Sequence, residues 1–99
     1  MTGLYVLKPS QAFEKQLREL NDNAKTIIEQ KLRLIEQNPY RYKRIKGHNL
    51  LLFRIRFSDN RKEKRAIYIV EKNYIFLVCI LDRDRGYKDL KVYLRSMGL

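Results

Sequence analysis

The sequence predicts an α+β domain in which two helices pack against one mostly antiparallel sheet. Two observations lead to this class. Residues 10–37 carry apolar side chains at helical spacing, whereas residues 51–81 hold apolar side chains that alternate with polar ones or run continuously, as in strands. The predicted order is β-α-α-β-β-β with a short helix in the tail. The 99 residues are expected to form a single domain, residues 1–99.

The first half of the chain is predicted to supply one strand and a helical hairpin. Residues 4–8 form the strand, Pro9 ends it, and Ser10 can cap the helix that follows. That helix presents one apolar stripe, made of Phe13, Leu17 and Leu20. After a polar turn, a second helix covers residues 24–37 and ends before Pro39, because the residue before a proline is disfavoured in the α region. So short a link predicts antiparallel helices.

The second half is predicted to form three strands over residues 51–57, 64–71 and 74–81, with a polar hairpin loop between the first two. The middle strand should place Ala66, Tyr68 and Val70 on one face and Arg65, Ile67 and Ile69 on the other. The last strand is almost continuously apolar, which is typical of a central strand covered on both faces. The tail, residues 87–97, can form a short helix with three partly buried side chains, Leu90, Val92 and Leu94.

The charge of the chain indicates a polyanionic partner. Lys and Arg number 22 against 11 Asp and Glu, for a net charge of +11 and a pI of about 10.0. Nucleic acid is the first candidate, an acidic protein the second and an anionic membrane the weakest. No stretch approaches the ~20 apolar residues of a membrane-spanning helix. One cysteine, Cys79, excludes an internal disulfide, and without a signal-peptide pattern we expect a cytoplasmic protein.

A perfectly alternating segment predicts where such a partner binds. Phe53, Ile55 and Phe57 are separated by Arg54 and Arg56. Because side chains on a strand point alternately to opposite faces, one face enters the core and the other holds two guanidiniums side by side. Like charges so close repel each other unless a polyanion lies across them. The segment therefore predicts a phosphate-binding sheet face.

The residues that follow the central strand are the second unusual segment. Residues 82–87 carry two aspartates, two arginines, a glycine and a tyrosine, and a strand end is rigid enough to fix a reacting phosphate. A solvated network of aspartate–arginine pairs is an equally weighted alternative. If the second and third strands pair as a hairpin, Arg65 lies beside the two arginines of the alternating segment. Five residues could then converge on one patch: Arg54, Arg56, Arg65, Arg83 and Tyr87.

The common catalytic routes find little support in the sequence. His48 stands alone beside a glycine and Cys79 lies within an apolar strand, so neither is expected to act as a ligand or nucleophile. No metal or cofactor is expected. RNA could still be cleaved, since a ribose 2′-hydroxyl can attack its own phosphate when arginines position it and stabilise the developing charge. Tyr87 is the one nearby side chain with a proton to transfer, or it could stack on a base.

Three segments, residues 52–57, 64–68 and 81–87, resemble the RelE/ParE superfamily of toxin–antitoxin toxins, and the likeness in element order covers nearly the whole chain. The resemblance implies a RelE-like fold and the toxin of a type II toxin–antitoxin system. Such a toxin is a ribosome-dependent endoribonuclease that cleaves mRNA in the ribosomal A site and inhibits translation. A RelB-like antitoxin, encoded next to it, would be its partner. A ParE-like gyrase inhibitor without nuclease activity, or an inactive RNA- or ribosome-binding homologue, are the alternatives.

The resemblance also implies roles for single residues. Arg54 and Arg56 take the places of two active-site lysines, which keeps the charge but removes the easier proton carrier. Arg65 would contact the scissile phosphate and Arg83 would follow the last strand. Tyr87 would be the C-terminal tyrosine of the site, with an alternative in Tyr93. The residues expected to bind RNA are Arg54, Arg56, Lys62, Lys64, Arg85, Lys43, Arg44 and Lys46. The histidine and glutamate of the related YoeB toxins have no match.

Overall fold

The computed structural model describes residues 5–99, so Leu4 of the predicted first strand lies outside the described residues. The elements in chain order are β1 (Val6–Pro9), α1 (Gln11–Glu19), α2 (Asp22–Gln37), β2 (Lys43–Ile45), β3 (Leu52–Asp59), β4 (Lys62–Glu71), β5 (Tyr74–Asp82), a 3₁₀ turn (Arg83–Arg85) and α3 (Leu90–Ser96). The sheet order is β1-β5-β4-β3-β2. Within residues 5–99 only β1 pairs in parallel, with β5. The predicted α+β class is confirmed.

The prediction that Pro9 ends the first strand was wrong by one residue, because Pro9 is the last residue of β1 and pairs opposite Leu77. The backbone N–H of Val6 donates to a carbonyl in the turn before β5 at 2.8 Å, and that of Ser10 donates to a carbonyl of β5 at 2.9 Å. Since residues alternate along a strand, the backbone nitrogen of Pro9 points away from β5. A proline has no N–H to lose on that side of an edge strand, so it is tolerated there.

Side-chain caps start both long helices. The Ser10 Oγ accepts a hydrogen bond from the backbone N–H of Phe13 at 3.0 Å, as the sequence predicts. The Asn21 Oδ1 accepts one from the N–H of Ala24 at 2.8 Å. Helix α2 therefore begins at Asp22, two residues earlier than predicted, since one asparagine suffices as the cap.

No helix within residues 5–99 has both the length and the apolar character needed to cross a membrane.

Helix α1 completes the edge of β5 beyond the point where β1 ends. The Ser10 Oγ donates to the Val78 carbonyl at 2.7 Å. The Gln16 carboxamide donates to the Ile80 carbonyl at 2.9 Å and accepts from the Ile80 N–H at 2.7 Å. It also donates to the Tyr93 hydroxyl at 3.1 Å, which ties α1 to α3. Side chains of a helix thus replace the missing strand, and they fix how α1 lies on the sheet.

Two apolar cores cover the two faces of the sheet. Helices α1 and α2 pack on one face, which includes Phe53, Ile55 and Phe57 of β3. Helix α3 packs on the other face with Leu90 and Leu94, against buried side chains such as Leu52, Ile67, Val78 and Cys79. The predicted faces of β4 are confirmed. A register shift after Ile67 leaves Val78 as an extra residue in β5, and two consecutive β5 side chains, Val78 and Cys79, therefore enter the same core.

Three details differ from the prediction. The loop predicted over residues 58–63 is mostly strand, because β3 and β4 extend to a two-residue turn at Asn60 and Arg61. Both turn residues have positive φ, 50° and 69°, as the tight hairpin turn requires. Strand β2 was not predicted, since three residues carry almost no periodic signal. Val92 of α3 is 61% exposed rather than partly buried, because it lies on the outer side of the helix.

Candidate nucleic-acid interface

Four cations lie on the α3 side of the sheet, beyond the apolar residues that α3 covers. Residues of β2, β3 and β4 supply them, and the register places Lys43 directly opposite Arg54, and Arg56 directly opposite Arg65. Like charges in directly opposed positions destabilise a sheet by up to about 1 kcal/mol. Ion pairs in the described part of the chain join other residues, so no carboxylate offsets these charges. This surface, called the cationic face below, is suited to a polyanion.

Tyr87 joins two of these arginines into one centre. The Arg54 Nη1 donates a hydrogen bond to the Tyr87 hydroxyl at 2.8 Å. The Arg65 guanidinium lies over the Tyr87 ring, with its carbon 4.9 Å from the ring centroid. Such a cation–π contact holds the guanidinium plane in a defined position. The segment after β5 thereby returns a tyrosine to the middle of the cationic face.

The Arg65 side chain also carries a donor that the fold leaves unused. Its Nε is buried and has no hydrogen-bond partner among residues 5–99. An unsatisfied buried donor costs about 1–3 kcal/mol, so structures rarely keep one without a reason.

Of the five residues predicted to converge, Arg54, Arg65 and Tyr87 are in contact, and Arg56 is the cross-strand neighbour of Arg65. Arg83 does not take part in these contacts. It is an exposed residue at the start of the 3₁₀ turn. It lines a separate cavity of about 230 Å³ at the tip of the β3–β4 hairpin, together with Arg61, Lys62, Glu63, Asp82 and Asp84.

The residues expected to bind RNA are spread over both faces. Lys62 and Lys64 alternate with Arg65 along β4, so they lie on the side of α1 and α2. The Lys64 ammonium pairs with Asp82 at 2.8 Å, and this hydrogen bond lowers the pKa of the Asp82 carboxyl. Arg44 alternates with Lys43 in the same way.

Arg85 is also engaged with a carboxylate. Its Nε pairs with Asp89, four residues later, at 2.8 Å, which lowers the pKa of the Asp89 carboxyl. Lys46 is exposed beyond the end of β2 and makes no ion pair within the described chain. Of the residues expected to bind RNA, Lys43, Arg54 and Arg56 therefore lie on the cationic face without a carboxylate partner.

Tyr93, the alternative to Tyr87, lies elsewhere. Its hydroxyl accepts the hydrogen bond from Gln16 and so belongs to the contact between α1 and α3. The Cys79 thiol is fully buried, and this burial raises its pKa to about 12, as an inert core thiol requires. The described residues contain no group of three His, Cys, Asp or Glu side chains placed to hold a metal ion.

Two residues at this surface were not singled out from the sequence. Lys31 of α2 and Tyr42 before β2 line a cavity at the outer end of the cationic face, together with Lys43, Arg54 and Arg56. Lys31 is one of several charged residues on an amphipathic helix, and nothing in its sequence neighbourhood sets it apart. Only the packing of α2 across the edge of β3 identifies it.

Comparison with known proteins identifies the fold. The sequence matches no protein-family model, and no curated protein matches it at a significant level. Among solved structures, an arginine double mutant of the Escherichia coli toxin RelE in the free state superposes with a TM-score of 0.76 at 17% identity, covering 100% of both chains. The intact E. coli RelBE toxin–antitoxin complex gives 0.67 at 20% identity, covering 78% of this chain and 94% of the matched chain.

An archaeal RelE–RelB complex from Pyrococcus horikoshii gives a TM-score of 0.63 at 19% identity, covering 84% of this chain and 99% of that one. The three matches share the toxin chain as their common component. At this level of identity the likeness concerns the path of the backbone. The chain has the fold of the RelE toxins.

Proposed function

We propose that this protein is the toxin of a type II toxin–antitoxin system and acts as a ribosome-dependent endoribonuclease that cleaves mRNA and stops translation. The observation that carries the proposal is the centre formed by Arg54, Tyr87 and Arg65 on a face without carboxylate partners. The RelE-like fold supports it, because the matched structures are toxins and toxin–antitoxin complexes.

RNA binding would relieve an unfavourable feature of the free protein. The opposed pairs Lys43–Arg54 and Arg56–Arg65 repel each other, and phosphates lying between them would turn repulsion into attraction. This change favours the bound state over the free state, so the same residues that weaken the fold would strengthen the complex.

The cleavage step we propose uses the RNA's own nucleophile. The ribose 2′-oxygen attacks the adjacent phosphorus, a P–O2′ bond forms, the P–O5′ bond breaks, and the products are a 2′,3′-cyclic phosphate and a 5′-hydroxyl. The guanidiniums of Arg54 and Arg65 stabilise the extra negative charge on the phosphorane oxygens. Neither gives up its proton, since arginine stays protonated in proteins.

Tyr87 is the residue suited to the proton transfer at the leaving group. Its oxygen accepts the hydrogen bond from Arg54, so its own O–H remains free to donate. The 2′-hydroxyl proton would leave to solvent as O2′ attacks, Tyr87 would give its proton to the departing 5′-oxygen, and the resulting tyrosinate would take a proton back from solvent, so that no net proton is consumed. The Arg65 contact holds the ring in place for this step.

We also propose a cognate antitoxin, RelB-like and encoded next to this chain, as the partner that keeps the toxin inactive. The ribosomal A site with its mRNA would be the target. Two of the matched structures are complexes of a toxin with its antitoxin. With a net charge of +11, an acidic partner would bind this chain favourably.

Primer extension on cellular mRNA after induced expression tests the proposal. We expect new 5′ ends within translated messages, which Arg65→Ala and Tyr87→Phe remove. Arg44→Ala is the matched control, because it removes a cation from the opposite face of the sheet. Intact mRNA with an induced DNA-damage response would instead identify a gyrase inhibitor. Growth without arrest, combined with salt-sensitive RNA binding, would identify an inactive homologue.

A further inference from the structure

A basic cavity of about 340 Å³ opens at the outer edge of β3, beside the end of β2. Its walls come from α2, the segment before β2, and β3, through Lys31, Tyr42, Lys43, Arg54 and Arg56. Four of these five residues are cations and none is acidic. The volume is in the range of small-ligand sites, which begin at about 300 Å³. The composition favours an anion with a flat apolar part.

Lys31 is held at the edge of this cavity by one hydrogen bond. Its Nζ donates to the backbone carbonyl of Arg56 at 2.9 Å. That carbonyl lies on the open edge of β3, since β2 pairs only with residues 52–54. The contact leaves two of the three ammonium donors for a ligand. A lysine already held in position loses little side-chain freedom when it binds a phosphate.

The cavity is continuous with the proposed cleavage centre. Arg54 lines the cavity and donates to the hydroxyl of Tyr87. Lys43 stands opposite Arg54, and Arg56 opposite Arg65. Positive charge therefore extends without interruption from Tyr87 to Lys31. A polyanion with regularly spaced charges matches this arrangement better than a single small anion does.

Tyr42 distinguishes between kinds of polyanion. It is half-buried: it lines the cavity and also packs against the core under α1 and α2, and the Arg41 guanidinium carbon lies 5.6 Å from its ring centroid. An aromatic ring beside cations is the combination by which proteins hold single-stranded nucleic acid, with the base on the ring and the backbone on the charges. An acidic peptide would use the cations but has no base to place on the ring.

We propose that Lys31, Tyr42, Lys43 and Arg56 form a second RNA subsite, which binds the phosphate and base of a nucleotide next to the one at Arg54 and Tyr87. The proposal rests on the proposed function, because it assumes that RNA occupies the cationic face. It adds two residues, Lys31 and Tyr42, to the site. It also predicts that the protein binds RNA over more than one phosphate.

Binding of short RNAs tests the subsite. We would measure fluorescence anisotropy with a labelled dinucleotide and a labelled tetranucleotide, both 2′-O-methylated so that they cannot be cleaved. Lys31→Met is expected to weaken tetranucleotide binding about tenfold and to leave dinucleotide binding unchanged. The slope of log affinity against log salt concentration for the tetranucleotide should fall by the amount expected for about one phosphate contact. Lys31→Arg should restore affinity, since it keeps the charge and a donor. Arg33→Met is the matched control, because Arg33 lies on the same helix but lines a groove beside β1.

The outcomes separate the subsite from the function. If the tetranucleotide binds Lys31→Met as it binds the wild type while Arg54→Met abolishes binding, the subsite is wrong and the cleavage centre stands. If the wild-type protein binds neither RNA, the subsite is overturned, whereas the ribosome-dependent function stands or falls with the primer-extension experiment. If an oligoglutamate of equal charge binds as tightly and depends equally on Lys31, the cavity belongs to an acidic protein partner and the RNA assignment is overturned.

Discussion

Arg54 and Tyr87 lie 33 residues apart in the chain and are joined by a hydrogen bond of 2.8 Å between a guanidinium and a phenol. One residue comes from the middle of a strand and the other from the segment between the 3₁₀ turn and α3. The bond therefore anchors that segment to the cationic face. It also gives the position of Tyr87 a physical cause that can be tested separately from any activity.

The Arg54–Tyr87 bond should appear as a coupling energy. Arg54→Met removes the donor and Tyr87→Phe removes the acceptor while keeping the ring over Arg65. We expect the double mutant to differ from the sum of the single mutants by about 1 kcal/mol in the free energy of unfolding. Urea unfolding of the four proteins measures this. In the control cycle, the effects of Arg44→Met and Tyr87→Phe on the free energy of unfolding should add. An equal coupling energy in both cycles would mean that the Arg54–Tyr87 hydrogen bond contributes nothing specific.

Arg56 should reduce the stability of the free protein. Arg56→Met removes the like charge opposite Arg65, and we expect the free energy of unfolding to rise by about 0.5 kcal/mol at low salt. The gain should shrink as salt screens the repulsion. Arg44→Met, opposite Phe53, is the control and should show little change. A loss of stability in Arg56→Met at low salt would mean that the arginines do not repel each other.

The β3–β4 hairpin should become more stable when its turn receives a glycine. Arg61 has φ of 69°, a conformation in which an L side chain is strained. Relief of this strain in Arg61→Gly is expected to raise the free energy of unfolding by about 0.5–1 kcal/mol. The greater entropy that glycine gives the unfolded chain offsets part of this gain. Lys62→Gly, one residue later in the regular strand, should lower it. Thermal unfolding distinguishes the two, and a destabilised Arg61→Gly would contradict the turn geometry.

Gln16 should be important for stability although it is polar and only half-buried. Its carboxamide bonds both backbone groups of Ile80, on an edge that no strand covers. Gln16→Ala leaves these groups without partners, and we expect a loss of about 2–3 kcal/mol. Lys15→Ala, an exposed neighbour on α1, serves as the reference and should be nearly neutral. Denaturant unfolding with equal m-values would show that the effect belongs to the native state.

Acid should weaken the contact between Lys64 and Asp82. Its hydrogen bond lowers the pKa of the Asp82 carboxyl in the folded protein, so the contribution is present above the unfolded pKa of about 3.9 and is lost as pH falls through the folded value. The wild type should therefore lose more stability than Asp82→Asn between about pH 5 and pH 2, by less than ~1 kcal/mol because the pair is partly exposed. Equal losses in the wild type and in Asp82→Asn would contradict a contribution from this pair.

The sheet and its faces could be predicted from the sequence because strand periodicity is a local property. The alternation around Arg54 and Arg56 placed one face in the core, and the hairpin between β3 and β4 brought Arg65 beside them. The cap at Ser10 likewise depends on residues within a few positions of the helix start. These features need no knowledge of distant contacts.

The remaining features depend on contacts between distant segments. The contact from Lys31 to Arg56 joins a helix to an open strand edge 25 residues later, and no local pattern indicates it. The position of Arg83 depends on the 3₁₀ turn, which leaves that arginine exposed beside the hairpin tip. The extra residue in β5 at Val78 also had no sequence signal, since a continuously apolar strand hides a register shift.

The burial of Cys79 has a practical consequence for measurement. It is the one cysteine of the chain, it has no exposed surface, and its thiol stays protonated near neutral pH. Thiol reagents react with the ionised form, so the folded wild type should remain unlabelled. A cysteine introduced at exposed Lys46 would then be the sole reactive thiol. A fluorophore attached there could report on whatever molecule approaches the nearby cationic face, without mutating the native cysteine.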